Sequence, residues 1–257
     1  MNIKSILTTC FVICAVHVSA QTPLYKQSSA PVESRVKDLL GRMTVDEKIG
    51  QLCCPLGWEM YTKTSKGVVP SELYKERMSA APIGSFWAVL RADPWTQKTL
   101  ETGLNPQSGA KALNALQKYA IDSTRLGIPI LFAEECPHGH MAIGTPVFPT
   151  SLAQASTWDK ELMYKMGETI ALEARLQGAN IGYGPVLDIA REPRWSRMEE
   201  TFGEDPVLTS PLGVAFMKGM QGEVQNDGKH LFSTLKHFAA YGIPESGHNG
   251  ARANIGM

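Results

Sequence analysis

Apolar residues recur at helical spacing near the start of the chain and again further along it. From Ser34 onward they follow one another three or four positions apart, which predicts a first helix. Thr44 and Glu47 form a capping box, a pattern that opens helices, so a second helix is predicted to follow at once. The apolar residues of this second helix, Ile49 and Leu52, are expected to face inward.

The remainder of the chain alternates short apolar runs with amphipathic stretches. Residues 55–82 mix glycine, proline, lysine and serine, which predicts an irregular segment with one short helix. Strands are predicted at 83–90, 127–133, 180–183 and 231–235. Helices are predicted at 108–124, after a cap at Asp159, and at 206–221. Such alternation is typical of parallel strands joined by crossover helices.

The stretch from Gly182 to Pro206 changes character along its length. It begins as an apolar strand, is predicted to turn at Gly184-Pro185, and then becomes dense in arginine and carboxylate side chains around Trp195. The charged residues are Arg191, Glu192, Arg194, Arg197, Glu199, Glu200, Glu204 and Asp205. Guanidinium groups and an indole face suit the hydroxyls and C–H faces of a sugar. A solvated, salt-bridged connection explains the charges equally well, so the pattern alone leaves both interpretations open.

Polar side chains follow several predicted strands directly. They are Arg91, Glu135, Arg197 and the pair Lys236-His237. In a (β/α) barrel, functional side chains gather on the loops at the carboxyl ends of the strands. This placement therefore indicates one shared site.

The net charge of the chain and its first twenty residues limit the classes of protein to which it can belong. The 25 basic and 25 acidic residues give a formal net charge of zero, so nothing directs the chain to nucleic acid or an anionic membrane. Residues 1–20 are typical of a secretory signal peptide, with Lys4, an apolar run, and a small-residue cleavage site at Val18-Ser19-Ala20. The run is too short to span a membrane. We expect an exported protein, either periplasmic or secreted.

Three cysteines follow the leader: Cys53, Cys54 and Cys136. Their spacing matches neither a disulfide framework nor a metal site, and they are predicted to be buried small apolar side chains.

The charged stretch resembles the signature region of glycoside hydrolase family 3, which includes β-glucosidases and β-xylosidases. The family pattern G-P-V-x-D-x-x-R-x-P-R-x-x-R-x-E-E-x-x-G-E-D-P is matched at every element by residues 184–206. Residues 43–52, 148–158 and 236–242 match other family motifs in the same order. The resemblance implies an α/β fold, a partial (β/α)8 TIM-like barrel comprising its N-terminal half or slightly more, over residues 21–257.

The resemblance also implies substrate-binding residues. Lys236 and His237 correspond to a pair that hydrogen-bonds the hydroxyls of the sugar in the −1 subsite, and Arg197 to another sugar-contacting position. Without it, a surface lysine beside a core histidine is the better explanation of Lys236 and His237. Glu135 corresponds to a carboxylate that binds the far hydroxyls, with Glu134 as the competing candidate. Glutamate at this position favours tolerance of pentosides.

Neighbouring charged residues are given supporting roles. Arg191 and Arg194 are predicted to brace the loop by pairing with Glu199, Glu200 or Asp205. Asp188 is predicted to be a structural carboxylate that accepts hydrogen bonds from loop amides.

The resemblance places the nucleophilic Asp and the acid/base Glu beyond residue 257, so no catalytic residue is assigned here. The leading hypothesis is the N-terminal part of an exported retaining β-glycosidase that hydrolyses β-glucosides or β-xylosides without metal or organic cofactor. Its expected partners are a small-molecule or oligosaccharide substrate and the missing C-terminal part of the same protein. A truncated, inactive sugar-binding remnant and a different (β/α) barrel enzyme are the alternatives. The 257-residue chain by itself is expected to be inactive and marginally stable or insoluble.

Overall fold

The computed structural model describes residues 22–224, 227–253 and 255–256, so the predicted signal peptide lies outside the described residues. The chain divides into two compact units, one up to Thr44 and one from Val45 onward. The first unit contains α1 (Val32–Arg42), which confirms the helix predicted there. Within it, the Asp38 carboxylate accepts the amide proton of Tyr25 at 3.0 Å.

The second unit combines a small antiparallel hairpin with a parallel sheet and its crossover helices. Its helices are α2 (Val45–Gln51), α3 (Glu72–Ala80), α4 (Pro106–Ser123), α5 (Ser151–Ala155), α6 (Lys160–Leu176) and α7 (Pro206–Gln221). The hairpin strands are β1 (Tyr61–Thr64) and β2 (Gly67–Pro70). The parallel strands are β3 (Ser85–Trp87), β4 (Leu131–Glu135), β5 (Ile181–Val186) and β6 (Phe232–Lys236), paired in that order.

A further extended segment runs beside β3. Leu56 forms a parallel bridge with Trp87, and the Trp87 amide donates to the Pro55 carbonyl at 3.0 Å. All strands of the sheet are parallel, so their carboxyl ends share one edge. This arrangement confirms the predicted α/β class with crossover helices. Among the described residues the sheet does not close into a complete barrel.

Helix α4 covers one side of the sheet as its apolar spacing predicts. The Asn105 side chain caps its first turn by accepting the Ser108 amide proton at 2.8 Å. Leu113, Leu116 and Ala120 are all buried in a cluster that also contains the strand residues Phe86 and Phe132. The prediction of this helix and of its inner face is confirmed.

Helices α6 and α7 pack closely against each other on the sheet. Asp159 caps α6 as predicted, because its carboxylate accepts the amide protons of Glu161 and Leu162 at 2.9 and 3.0 Å. A Cβ atom at Gly219 of α7 would lie 2.0 Å from the carbonyl oxygen of Tyr164 in α6. Glycine is therefore required at this point of closest approach.

Two predictions for the first part of this unit are wrong. Ile49 and Leu52 do not face inward, since they are 55% and 88% exposed. Helix α2 instead turns its Glu47 and Gly50 face inward, and the buried Glu47 carboxylate is paired with Arg125. The segment 55–82, predicted to be irregular with one short helix, contains that helix as α3 but also the β1–β2 hairpin, which was not predicted.

Three further details differ from the sequence-based expectations. The strand predicted at 127–133 begins only at Leu131, because the preceding Ile130 is held by the Gln117 side chain instead. Strand β5 does not turn at Gly184-Pro185 but continues to Val186 through a shift of register. Cys136 is buried as expected, whereas Cys54 is exposed.

None of the described helices is both long enough and apolar enough to cross a membrane.

Candidate active site

A cavity of about 550 Å³ opens where the strands of the parallel sheet end. Four residues predicted from the sequence line it together: Glu135, Arg197, Lys236 and His237. Glu135 is the last residue of β4 and Lys236 the last of β6, while Arg197 lies on the loop after β5. The fold thus brings side chains from three strand ends into one cavity of the size that small-molecule ligands occupy.

An ion pair between Lys236 and Glu135 forms part of the cavity wall. The Lys236 ammonium lies 2.6 Å from the Glu135 carboxylate, and both side chains are at most 10% exposed. The ammonium also lies 5.7 Å from the ring centroid of Tyr183. Two opposite charges buried this deeply are tolerated because each neutralises the other. Sugar hydroxyls could donate to the carboxylate and accept from the ammonium.

Glu134 is oriented away from this cavity. It is completely buried, and its carboxyl oxygen accepts the Leu90 amide proton at 3.0 Å. Burial raises the pKa of Glu134 to about 8, so at neutral pH its protonated form is favoured. Successive residues of a strand point to opposite faces. The structure therefore brings Glu135, and not its competitor Glu134, to the cavity.

Arg197 is held in place by a bidentate ion pair. Its Nε and Nη2 atoms donate to the two carboxylate oxygens of Glu200, each at 2.7 Å. Burial works against the charge of the guanidinium, but the Glu200 carboxylate outweighs it and raises the pKa of Arg197. The remaining nitrogen, Nη1, lies 3.3 Å from both His237 Nε2 and the Tyr241 hydroxyl. Arg197 is thus a permanently charged donor directed at the cavity.

The pairing predicted for Arg191 and Arg194 is wrong, and among the described ion pairs Arg191 has none with Glu199, Glu200 or Asp205. Arg194 does not pair with Glu199, Glu200 or Asp205 but with Glu192, two residues away, at 2.8 and 2.7 Å. Asp205 caps α7 by accepting the Val207 amide proton at 2.8 Å. The partner of Glu200 is Arg197, which donates to both of its carboxylate oxygens.

Asp188 fixes the orientation of His237. One carboxylate oxygen accepts both the main-chain amide proton of His237 at 3.1 Å and the proton of its ring Nδ1 at 2.6 Å. The predicted role of Asp188 as an acceptor of loop amide protons is confirmed. With Nδ1 turned to Asp188, Nε2 is the ring nitrogen that faces Arg197, at 3.3 Å. The Lys236–His237 peptide bond is cis, and both side chains line the cavity.

Several residues around the cavity were not predicted from the sequence. Asn249 accepts hydrogen bonds from the Trp195 indole at 3.0 Å and from the Tyr241 hydroxyl at 2.8 Å. Trp195 was noted as an aromatic residue among charges, but nothing local links it to a residue 54 positions away. The indoles of Trp87 and Trp95 also line the cavity.

The arrangement provides many hydrogen-bonding groups and no group of metal ligands. Among residues 22–224, 227–253 and 255–256, no three His, Cys, Asp or Glu side chains are placed to hold a metal ion. The Glu135 carboxylate is paired with the Lys236 ammonium, and the Glu200 carboxylate with the Arg197 guanidinium. Both carboxylates therefore accept hydrogen bonds and hold the neighbouring side chains in place. The geometry suits recognition of a neutral, hydroxyl-rich ligand.

Known proteins resemble the chain over most of its length. Residues 44–256 match the sequence profile of the glycosyl hydrolase family 3 N-terminal domain. A putative β-xylosidase of Formosa agariphila is 32% identical over 240 residues, which are 91% of this chain and 30% of that protein. A periplasmic β-glucosidase of Salmonella typhimurium is 35% identical over 82% of this chain and 24% of its own length.

Solved structures of β-glucosidases also resemble this chain. A β-glucosidase of Erythrobacter marinus superposes with a TM-score of 0.74 at 29% identity, covering 91% of this chain and 29% of the other. A mutant β-glucosidase of Listeria innocua, solved in complex with laminaribiose, has a TM-score of 0.69 at 30% identity, covering 88% and 29%. The chain therefore spans less than a third of the length of each of these relatives. The sheet is part of a TIM-barrel-like α/β fold, and the chain belongs to glycosyl hydrolase family 3.

Proposed function

We propose that this chain forms the sugar-binding part of an exported retaining β-glycosidase acting on β-glucosides or β-xylosides. Glu135, Arg197, Lys236 and His237 bind the hydroxyls of one sugar ring. The observation that carries this proposal is the convergence of the Lys236–Glu135 ion pair and the Arg197–His237 contact in one cavity at the strand ends. The names of the relatives, β-glucosidase and β-xylosidase, support the substrate class.

The four residues divide the hydrogen-bonding work. Lys236 and Arg197 act as charged donors, Glu135 as a charged acceptor, and the His237 ring contributes its cavity-lining edge, where a sugar hydroxyl replaces Arg197 at Nε2. A sugar hydroxyl both donates and accepts, so neighbouring hydroxyls can bridge a donor and an acceptor at once. Hydrogen bonds to charged groups are also the stronger ones, which compensates a sugar for the water it loses.

The bond-breaking groups belong to other parts of the protein. Retaining glycosidases use two carboxyl groups about 5–5.5 Å apart, a nucleophile and an acid/base. Glu135 is instead paired with Lys236 at 2.6 Å, and Glu200 with Arg197 at 2.7 Å. Carboxylates paired in this way suit the binding of sugar hydroxyls and not nucleophilic attack. We place both catalytic carboxyl groups outside these 257 residues, in the remainder of a longer protein. No metal or organic cofactor enters this chemistry.

The same observation favours a second candidate function. Glu135 and Glu200 are neutralised by Lys236 and Arg197. The third carboxylate of the cavity, Glu199, lies 3.4 Å from His138 and has, among the described lining residues, no second free carboxylate to act with, so such a chain would bind sugars without hydrolysing them. In that case these 257 residues act as a sugar-binding remnant.

Hydrolysis of p-nitrophenyl β-glucoside and β-xyloside separates the two candidates. The 257-residue chain is expected to be inactive, and a natural version extended at its C-terminus is expected to be active. Activity of the short chain would show that the catalytic carboxylates have been misplaced. Inactivity of an extended version would favour the remnant.

Direct binding tests the site itself. Calorimetric titration of methyl β-glucoside and methyl β-xyloside into the 257-residue chain is expected to show binding that is lost on Arg197→Met. A matched control is Arg194→Met, which removes an arginine of the same loop whose ion pair with Glu192 does not line the cavity. Equal effects of the two substitutions would argue against a sugar site at Arg197.

Glu135 bears on the choice of sugar. A glutamate extends further than an aspartate by one methylene and occupies space that a hydroxymethyl group would need. We therefore propose tolerance of pentosides. Glu135→Asp is expected to shift the ratio of activities in an active, extended version towards the glucoside, and an unchanged ratio would contradict this.

Export rests on the leader and on the relatives. Residues 1–20 have the composition of a signal peptide, and two similar proteins are named as periplasmic. N-terminal sequencing of the protein recovered from the periplasm or medium is expected to begin at Gln21. Retention of residue 1 in a cytoplasmic product would refute export.

A further inference from the structure

Three tryptophans form a cluster beside the charged wall of the cavity. The ring centroids of Trp58 and Trp95 lie 4.7 Å apart at 64°, and those of Trp87 and Trp95 lie 5.6 Å apart. Trp58 is buried, whereas Trp95 is 55% exposed although it is one of the largest apolar side chains. Trp87 and Trp95 both line the cavity that holds the predicted sugar-binding residues. An exposed indole at a cavity wall is a surface suited to stacking.

The loop that carries Trp95 is held rigid by its own hydrogen bonds. The Asp93 amide donates to the Thr96 hydroxyl at 3.1 Å, and the Thr96 amide donates to the Asp93 carboxylate at 2.9 Å. Thr96 is itself buried. Because the loop is ordered by these bonds, little conformational entropy is lost when a ligand contacts Trp95.

Arg91 packs against the indole of Trp95. Its guanidinium carbon lies 4.9 Å from the Trp95 ring centroid, and its Nε donates to the Asp93 carboxylate. Arg91 also lines the cavity. A cation against a tryptophan ring is attractive and fixes the plane of the indole. Trp95 is thus fixed by Arg91 and by Trp58 while more than half of its surface stays accessible.

A series of ring contacts separates Trp95 from the ion pair. The Lys236 ammonium lies over Tyr183, Tyr183 stacks on Trp87 with centroids 6.1 Å apart at 27°, and Trp87 contacts Trp95. Trp95 is therefore displaced from the charged groups by two intervening rings. A single sugar ring bound to Lys236 and Glu135 leaves this aromatic surface to the next part of the ligand.

We propose that Trp95 is the stacking platform for the second sugar ring of a β-linked disaccharide or oligosaccharide whose first ring binds at Lys236 and Glu135. The apolar C–H face of a pyranose ring suits the indole, while the adjacent Arg91 can donate to hydroxyls at the rim of that ring. This inference rests on the proposed function, because it takes the first ring as bound at the charged wall.

The test compares one-ring and two-ring ligands by calorimetry on preparations of the 257-residue chain, and of each variant, that circular dichroism shows to be folded. The unsubstituted chain is expected to bind xylobiose and cellobiose more tightly than methyl β-xyloside and methyl β-glucoside. Trp95→Ala is expected to weaken disaccharide binding roughly two- to tenfold, the range for one aromatic stacking contact, and to leave methyl glycoside binding unchanged. Trp95→Phe, which keeps a ring, is expected to restore much of the difference.

Trp158→Ala is the matched control, because Trp158 is 71% exposed and does not line the cavity. It is expected to change neither affinity. Trp95→Ala that weakens both ligand classes equally, or neither, would overturn the platform while leaving the first-ring site intact. Absence of binding of every ligand to the unsubstituted chain would instead refute the proposed function, and this inference with it.

Discussion

Replacing Lys236 with methionine tests whether the ion pair in the cavity wall is truly buried. The variant keeps most of the apolar stem of the side chain but removes the charge that neutralises Glu135, which is 7% exposed. At an effective dielectric constant of about 20, unit charges 2.6 Å apart attract by roughly 6 kcal/mol. Water entry and relaxation around Glu135 recover part of this energy. We therefore expect a loss of about 3–5 kcal/mol in the free energy of unfolding, as for other buried pairs broken on one side.

A double-mutant cycle isolates the charge interaction. Urea unfolding followed by far-ultraviolet circular dichroism would be measured for Lys236→Met, Glu135→Gln and the double variant at pH 7. Glu135→Gln removes the charge that the methionine variant leaves unpaired, so the double variant is expected to be more stable than Lys236→Met alone. Each free energy is read at the same denaturant slope, since a changed slope would signal loss of two-state behaviour.

Lys165→Met provides the comparison. Lys165 pairs with Glu161 at 2.7 Å, nearly the same distance, but the two side chains are 65% and 78% exposed. Water screens such a surface pair, so removing it is expected to change the free energy of unfolding very little. Equal losses for Lys236→Met and Lys165→Met would refute the reasoning, because they would show that Glu135 and Lys236 are as well solvated as a surface pair.

Three further predictions concern packing, pH and capping. Gly219→Ala is expected to destabilise the protein by about 1–3 kcal/mol in urea unfolding, since its Cβ would meet the Tyr164 carbonyl, whereas Gly41→Ala, with open space around it, should be neutral or slightly stabilising. Burial raises the pKa of Glu134 to about 8, so the folded state keeps a proton that the unfolded state releases near pH 4.5. The free energy of unfolding should therefore fall as the pH rises from about 4.5 to 8. Glu134→Gln should abolish that fall in unfolding measured across pH. Asp159→Ala should cost about 1 kcal/mol in thermal unfolding, and no change would show that its two hydrogen bonds are dispensable.

Local patterns were sufficient for the elements that carry strong periodicity or caps. The spacing of Leu113, Leu116 and Ala120 indicated both the helix and its buried face, and Asp159 marked the start of α6. The ends of β4 and β6 could also be located to within two residues, because these apolar runs are followed directly by the polar residues Glu135 and Lys236. These signals lie within a few residues of one another and need no tertiary information.

The errors arise where neighbours distant in sequence decide the outcome. Ile49 and Leu52 have helical spacing, but the buried Glu47 carboxylate pairs with Arg125, 78 residues away, and orients the helix differently. The β1–β2 hairpin was missed because its four-residue strands are largely exposed and lack alternating apolar positions. Short, solvent-facing strands give no period that could be recognised.

The site was recognised through a family motif, and its internal contacts were not. Lys236 and Glu135 are 101 residues apart, and Asp188 and His237 are 49 apart. No spacing rule links such residues before the sheet is assembled. Glu200, the partner of Arg197, was likewise predicted to pair with Arg191 or Arg194. A run of alternating charges allows many pairings, and only the loop geometry distinguishes them.

The ion pair of the cavity wall has a mechanical consequence for the sheet. Lys236 belongs to β6, the last strand in the order, and Glu135 belongs to β4, so the contact passes over β5 to a strand that is not its neighbour. Strand β6 is thus tethered at its end to two strands, by the backbone ladder to one and by a side-chain brace to the other. Peeling β6 from the sheet must break both attachments. Fraying of this strand and loss of the ligand cavity are therefore a single event.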